Sequence, residues 1–445
     1  MTQAQQRQEL GWVAAFSVAV AGIGFWVTHE AAMFMPHQGL ESVLAAQSLL
    51  AGRGFEVFEG TPFAKFGPVY PLALAALGRL GMQPTSAANL INWGAFATAL
   101  VGLFALARLL RIRGAPWIVA AFAVWAPNYY LMRAARPDPL VIALSLLALC
   151  AMAKYVRRPA WRPLLAAALL CSVAATTRYM ALLTLVPVFA VAVAMTPSTW
   201  QRRLTDLGLF GVIAVTPVAA WILRNIVVTG HLTGIPRTGG REFMQHFGLL
   251  GNVWGLLKTV AIDAFGFGAI GIRWVVYGEQ PLPFPLAVLG GSTAMLAILA
   301  VVVWRGREGL RRHLEDEVLA HDQSRGALVV TVTHAVLYFV VLIAVWTLGN
   351  NDPIETRYAS PLYPALFLGV GGLLSAASNG LPRGAVLAAV FGVVVLIAAP
   401  NLLKSISLMT GDPPPPTLMP TTINEPHFRN WVEPFTWDEV GQWQR

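Results

Sequence analysis

Charge is scarce in this sequence: Lys, Arg, Asp and Glu make up 12% of its 445 residues, against about 25% in an average soluble domain. That deficit excludes a chain whose whole surface faces water. Cysteine is nearly absent. Cys150 and Cys171 both fall inside apolar runs, so buried thiols are expected and a disulfide framework is not. No Walker loop, HExxH or CxxC signature stands out, so neither a nucleotide nor a zinc site is expected. No internal repeat is visible, which weighs against a transporter built from duplicated halves. Acidic residues are the scarcer sign, 22 against 31 basic, leaving a net charge of +9. Nucleic acid is not the implied partner, because the basic residues sit in short clusters between apolar runs.

What is abundant is apolar length. Hydrophobic residues make up 56% of the chain, and they gather in runs such as 12–28, 327–348 and 385–402. Each is long enough to cross about 30 Å of hydrocarbon. Lipid offers backbone groups no hydrogen-bond partner, so the runs must be helices. Candidate spans are 11–29, 86–108, 116–132, 139–155, 163–177, 179–196, 206–224, 284–304, 326–347, 359–377 and 384–403. Only Arg178 separates the fifth from the sixth. The first run follows a short polar stretch without a small-residue cleavage site and reads as a retained anchor.

Basic clusters mark alternate loops: Arg108/Arg111/Arg113, then Lys154/Arg157/Arg158/Arg162, Arg202/Arg203, Arg305/Arg307/Arg311/Arg312, and Arg383. The positive-inside rule makes that side cytoplasmic, together with the N-terminus. About eleven spans then place the C-terminus outside. The expected fold is an all-α polytopic membrane domain over 1–403, followed by an external tail, 404–445. Its large external loops are 30–85 and 225–283. The tail's Pro413–Pro416 run cannot be helical. Within the first loop, 41–51 reads as a short helix ended by Gly52-Arg53-Gly54. A second apolar helix at 68–80 is too short to span comfortably. Both are expected to lie at the membrane surface.

Several motifs in order carry a resemblance. Gln38-Gly39-Leu40-Glu41-Ser42, Ala51-Gly52-Arg53-Gly54-Phe55 and Pro68-Val69-Tyr70-Pro71 occupy the first loop. Arg136-Pro137-Asp138-Pro139, Thr177-Arg178-Tyr179, Arg224-Asn225 and Glu355-Thr356-Arg357-Tyr358 follow. The set, spread over most of 10–380, resembles the GT-C glycosyltransferases, such as protein mannosyltransferases and the lipid A aminoarabinose transferase. The resemblance implies transfer of a sugar from a polyprenyl-phosphate carrier to a glycan, lipid or protein acceptor. The reaction would lie on the external face of a bacterial inner (plasma) membrane.

Such chemistry needs cations for the departing phosphate and a carboxylate to take the acceptor proton. Lys65, Arg178, Arg224 and Arg357 are the candidate cations, with Tyr358 as a hydroxyl donor; interface anchoring is the competing reading. Asp138 is the best-placed carboxylate, although an ion pair with Arg136 would also explain it. The family's first-loop Asp aligns with Gln38, which cannot act as a base. Glu41, on the same helical face, or His37 are substitutes, and His29 and Glu30 are further ones. Asp138 with Glu41 could hold a divalent cation. Asp263, in the second loop, reads as structural or acceptor-contacting. The alternatives are a catalytically degenerate member that binds a lipid-linked sugar, and a transporter or polymerase of lipid-linked glycans.

Overall fold

A computed structural model of the chain describes residues 3–29, 33–34, 37–57, 61–112, 114–231, 248–264, 307–312, 321–348, 356–377 and 431–432, with 300, 304, 315 and 318. Among these residues the structure is almost wholly helical. In order come α1 (Gln3–Thr28), α2 (His37–Leu50), α3 (Val69–Arg79), α4 (Pro84–Leu109), α5 (Ala115–Ala123), α6 (Ala126–Met132), α7 (Asp138–Arg157) and α8 (Trp161–Thr177). They are followed by α9 (Tyr179–Ala194), α10 (Trp200–Thr229), α11 (Leu249–Ala264), α12 (Arg307–Arg312), α13 (Asp322–Leu348), α14 (Thr356–Ala359) and α15 (Tyr363–Ala377). Met33–Phe34 pairs antiparallel with Trp431–Val432, which brings the tail to the first loop.

Six of the described helices are long and apolar enough to cross a bilayer: 7–28, 84–109, 138–157, 200–229, 324–347 and 356–376. Large apolar side chains stay exposed along them, among them Trp12, Val18 and Trp26 on α1 and Val212 and Leu223 on α10. That surface suits acyl chains, not water. The protein is a multi-pass membrane protein. The expected spans 284–304 and 384–403 lie almost entirely outside the described residues.

Helix α7 is the hub, packing on α4, α8, α9 and α13. Its charges are placed with the helix dipole, Asp138 in the first turn and Lys154 and Arg157 in the last. Close approach of α1 to α4 depends on Gly24, where an added Cβ would lie 2.3 Å from the Trp93 ring. The same crossing is tied by Thr28 Oγ1, which accepts from Trp93 Nε1 and from Asn89 Nδ2, each at 3.0 Å. A second apolar core joins α2 and α3 to the start of α4, with Ala135 and Trp221 closing it.

Contacts sort the bundle into two ends. At one end Tyr155 donates to Asp206 at 2.5 Å, and Arg202 donates to the Pro159 carbonyl at 3.0 Å. Glu9 faces Arg108 at 3.5 Å, where α1 begins and α4 ends. Of the expected basic clusters, Arg108, Arg202 and Arg203 lie here. The opposite end gathers the end of α1, the first loop, the start of α7 and the end of α10.

Two expectations are corrected. The span 116–132 is not one helix: it breaks at Val124–Trp125 into α5 and α6. Pro127 supplies no N–H to continue the ladder, and Asn128 Nδ2 bonds the Phe122 carbonyl instead, at 2.7 Å. The loop 225–283 holds an unforeseen helix, α11, because Val253, Leu256 and Val260 form one apolar stripe. Asn252 Nδ2 ties it to Thr347 Oγ1 of α13 at 3.2 Å. The expected break at Arg178 is present, with Arg178 extended (φ −145°, ψ 121°) between α8 and α9.

Gly24→Ala forces the buried Trp93 ring aside, and overpacking of this kind lowers stability by about 1–3 kcal/mol. Thermal unfolding in detergent checks this against Gly22→Ala, where a Cβ meets nothing within 4 Å; only the first variant is expected to shift the midpoint down.

Candidate active site

The site forms where α7 begins and α8 gives way to α9. Asp138 is 2% exposed, and its Oδ1 accepts from Arg178 Nη1 in a short ion pair. The sequence offered Arg136 as a competing partner and did not single out Arg178 for this role. The reason for the pairing is geometric: Arg178 leaves the helical path between α8 and α9, which turns its side chain toward the start of α7. The turn before Asp138 is pinned by Asn92 Nδ2, which bonds the carbonyls of Met132 at 3.0 Å and Ala134 at 2.7 Å. Asp138 Oδ2 is buried and has no hydrogen-bond partner among the described residues.

Two further sequence-derived residues, Arg357 and Tyr358, join this pair. The Tyr358 ring carries the Arg357 guanidinium at 4.3 Å and that of Arg178 at 5.8 Å. Trp346 backs the same ring edge-on at 4.4 Å. Tyr338 OH holds the Tyr358 carbonyl at 3.1 Å. Two guanidinium groups thus flank one aromatic ring beside a buried carboxylate. Arginine pairs in this arrangement suit a phosphate, whose oxygens accept forked donors.

The first loop closes over this end. Gly67 abuts the last turn of α8 so closely that a Cβ would lie 1.8 Å from the Thr176 carbonyl oxygen. Lys65, two residues earlier and half-buried, has Nζ 5.2 Å from the Phe66 ring centre. Tyr70 on α3 is buried, and its hydroxyl has no partner among the described residues. Burial first, then the nearby Asp138 charge, push that hydroxyl well above the ordinary tyrosine value, so it stays a neutral donor.

Arg224 is engaged with the first loop instead. Its Nη1 donates to the Phe63 carbonyl at 2.6 Å and its Nη2 to the Phe55 carbonyl at 3.2 Å. Asn225 Nδ2 holds the Ala64 carbonyl at 2.8 Å, and Trp221 Nε1 holds that of Phe66 at 3.1 Å. The end of α10 therefore clasps the loop that carries Lys65.

Glu41 is buried with Gln38 on α2, 9% and 6% exposed. The shared face expected for them is present, and Glu41 is not among the residues lining the recess at Asp138. His37 begins α2, and its side chain lies outside the described part, as does Glu30. His29 approaches Ser86, with Nδ1 3.4 Å from its hydroxyl. Among the described residues no three His, Cys, Asp or Glu side chains gather. Asp138 faces a guanidinium rather than a second carboxylate, so the described residues do not fit a divalent cation.

The recess below Asp138 and Arg178 is also lined by Ser145, Thr184, His334 and Tyr338, none of which the sequence reading placed at the site. His334 carried a signal: an ionisable side chain inside a span is a functional candidate.

No family model matches the sequence, and no curated protein sequence matches it. Solved structures do. ArnT from Cupriavidus metallidurans in the apo state superposes with a TM-score of 0.52 at 16% identity, over 94% of this chain and 67% of that one. The same protein bound to undecaprenyl phosphate gives 0.53 at 16% identity, with the same coverage. The chain shares the fold of this protein. The Archaeoglobus fulgidus oligosaccharyltransferase, in a complex with Zn and sulfate, also shares it, with a TM-score of 0.52 at 14% identity. There 92% of this chain covers only 54% of that one. Identities this low carry the fold and nothing finer.

Breaking the Asp138–Arg178 pair strands a buried charge, which typically lowers stability by about 3–5 kcal/mol. Asp138→Asn is expected at the low end, about 3 kcal/mol, since the Arg178 side chain that it strands is 21% exposed. Chemical denaturation of both single variants and of the Asp138→Asn/Arg178→Met double variant checks this. The double loses clearly less than the sum of the singles.

Proposed function

We propose that the chain is a glycosyltransferase that moves a sugar from a polyprenyl-phosphate carrier to a hydroxyl or amine acceptor at the external face of the membrane. The observation that carries this reading is the buried Asp138 with an unpartnered Oδ2, set beside Arg178 and the Arg357–Tyr358 stack. A carboxylate oxygen open to an acceptor proton and two guanidinium groups for a departing phosphate are the two halves that the reaction needs. The fold shared with ArnT supports it, since that protein's structure holds undecaprenyl phosphate.

In the proposed step the acceptor oxygen or nitrogen attacks the anomeric carbon and the bond from that carbon to the phosphate oxygen breaks. The bonding pair leaves with the phosphate, which Arg178 and Arg357 neutralise. The acceptor proton passes to Asp138 Oδ2. Tyr70 and Tyr358 supply neutral hydroxyl donors, Lys65 adds charge from the loop, and Arg224 holds that loop. Glu41 or His37 remains a second candidate base. An external site with the N-terminus inside follows from the positive-inside rule. Pairing of Met33–Phe34 with Trp431–Val432 supports a tail on the same side as the first loop.

Gln38 in place of an acidic residue favours a second reading, a binder of lipid-linked sugar without transfer. Proteoliposomes carrying radiolabelled polyprenyl-phosphate sugars and membrane acceptors separate the two. Wild type is expected to transfer label, and Asp138→Asn to lose about a hundredfold or more in rate. Survival of transfer in Asp138→Asn but not in Glu41→Gln moves the base to the first loop. Wild-type binding of undecaprenyl phosphate without transfer of any sugar establishes the second reading.

A further inference from the structure

The short helix that carries Arg357 and Tyr358 has little of its own to hold it. At four residues, α14 is a single turn, followed at once by a 3-10 turn, Ser360–Leu362. A helix that short is not stable by itself. Yet the two guanidinium groups flanking Tyr358 work together only if this turn is fixed to within a fraction of an ångström.

The carboxylate of Asp263, from the last turn of α11, sits at both ends of the segment. Thr356 Oγ1, immediately before Arg357, donates to Oδ1 at 3.0 Å. Tyr363 OH, at the start of α15, donates to Oδ2 in a short bond. Asp263 is 1% exposed and Tyr363 fully buried. A charged acceptor makes stronger bonds than a neutral one, and a hydroxyl that loses its acceptor in a buried site is stranded. Between those two anchors the carbonyls of Arg357 and Tyr358 are taken by Ser360 Oγ at 2.9 Å and Tyr338 OH at 3.1 Å. The turn is therefore clamped from α11, α13 and α15 at once.

We infer that Asp263 is a positioning residue for the donor phosphate: by bridging Thr356 and Tyr363 it sets Arg357 and Tyr358 at the site. This rests on the transferase reading. It assigns a role to a carboxylate that does not itself line the recess at Asp138, and it gives α11 a purpose beyond packing. The clamp acts on affinity for the carrier, through Arg357, and not on the proton transfer at Asp138.

The probe is undecaprenyl phosphate, titrated into full-length protein in nanodiscs. Asp263→Asn removes one acceptor, and Thr356→Val and Tyr363→Phe each remove one hydroxyl with little change of shape. The milder two keep the test open if Asp263→Asn does not fold. Each variant is expected to bind the probe about tenfold more weakly, as the loss of a bond to a charged group implies. In an Arg357→Ala background the same substitutions are expected to weaken binding no further. Wild-type binding with variants that bind equally well overturns the inference and leaves the transferase reading intact. So does a loss of the same size with and without Arg357, because that marks Asp263 as structural only. A wild type that binds no undecaprenyl phosphate removes the transferase reading and this inference with it.

Discussion

One ion pair organises this end of the molecule. Asp138 is almost wholly buried, and a buried carboxylate without a cation is too unfavourable to persist as a charge. Arg178 answers it only because the chain leaves the helix between α8 and α9. The break in turn leaves room at the last turn of α8 for the first loop, which enters there on Gly67 and closes over the site. The loop has to be held, and Arg224, Asn225 and Trp221 of α10 hold it by its backbone carbonyls. Each arrangement depends on the one before it, so the pair ties α7, α8, α9 and the first loop into one unit.

The membrane explains where such a site can lie. Charges are excluded from the hydrocarbon, so they collect at helix ends, and the described contacts separate those ends chemically. At one end Asp206 is held by Tyr155 of α7 and by Arg202 one turn back on its own helix. At the other, arginines are stacked on aromatic rings beside a half-satisfied carboxylate. Under the proposed function, a lipid phosphate would reach that level with its tail already in the bilayer, leaving the protein to supply charge and orientation.

Much of this was legible. Long apolar runs with sparse charge can only be membrane helices, and Arg178, Asp138, Arg357 and Tyr358 stood out as polar groups at their ends. Their convergence was not legible, because nothing in the spacing of 138, 178 and 357 says which helix ends meet. Nor was the division of Arg224 from Arg178: an arginine beside a carboxylate and one beside backbone carbonyls look alike in sequence. The α5–α6 break carried a signal in Pro127, hidden by the surrounding apolar run. The stripe of Val253, Leu256 and Val260 that makes α11 a helix was hidden inside a long expected loop. Asp263 lies in that same stretch, and the two hydroxyls it bridges lie about a hundred residues further along.

The most direct measurement is a cryo-electron-microscopy structure of the chain in nanodiscs with undecaprenyl phosphate. The account predicts the phosphate within about 3 Å of the Arg178 and Arg357 guanidinium groups, with Asp138 Oδ2 facing the space an acceptor would fill. A phosphate seated instead at the opposite end, among Arg202 and Arg203, with the Asp138–Arg178 recess closed, would contradict it.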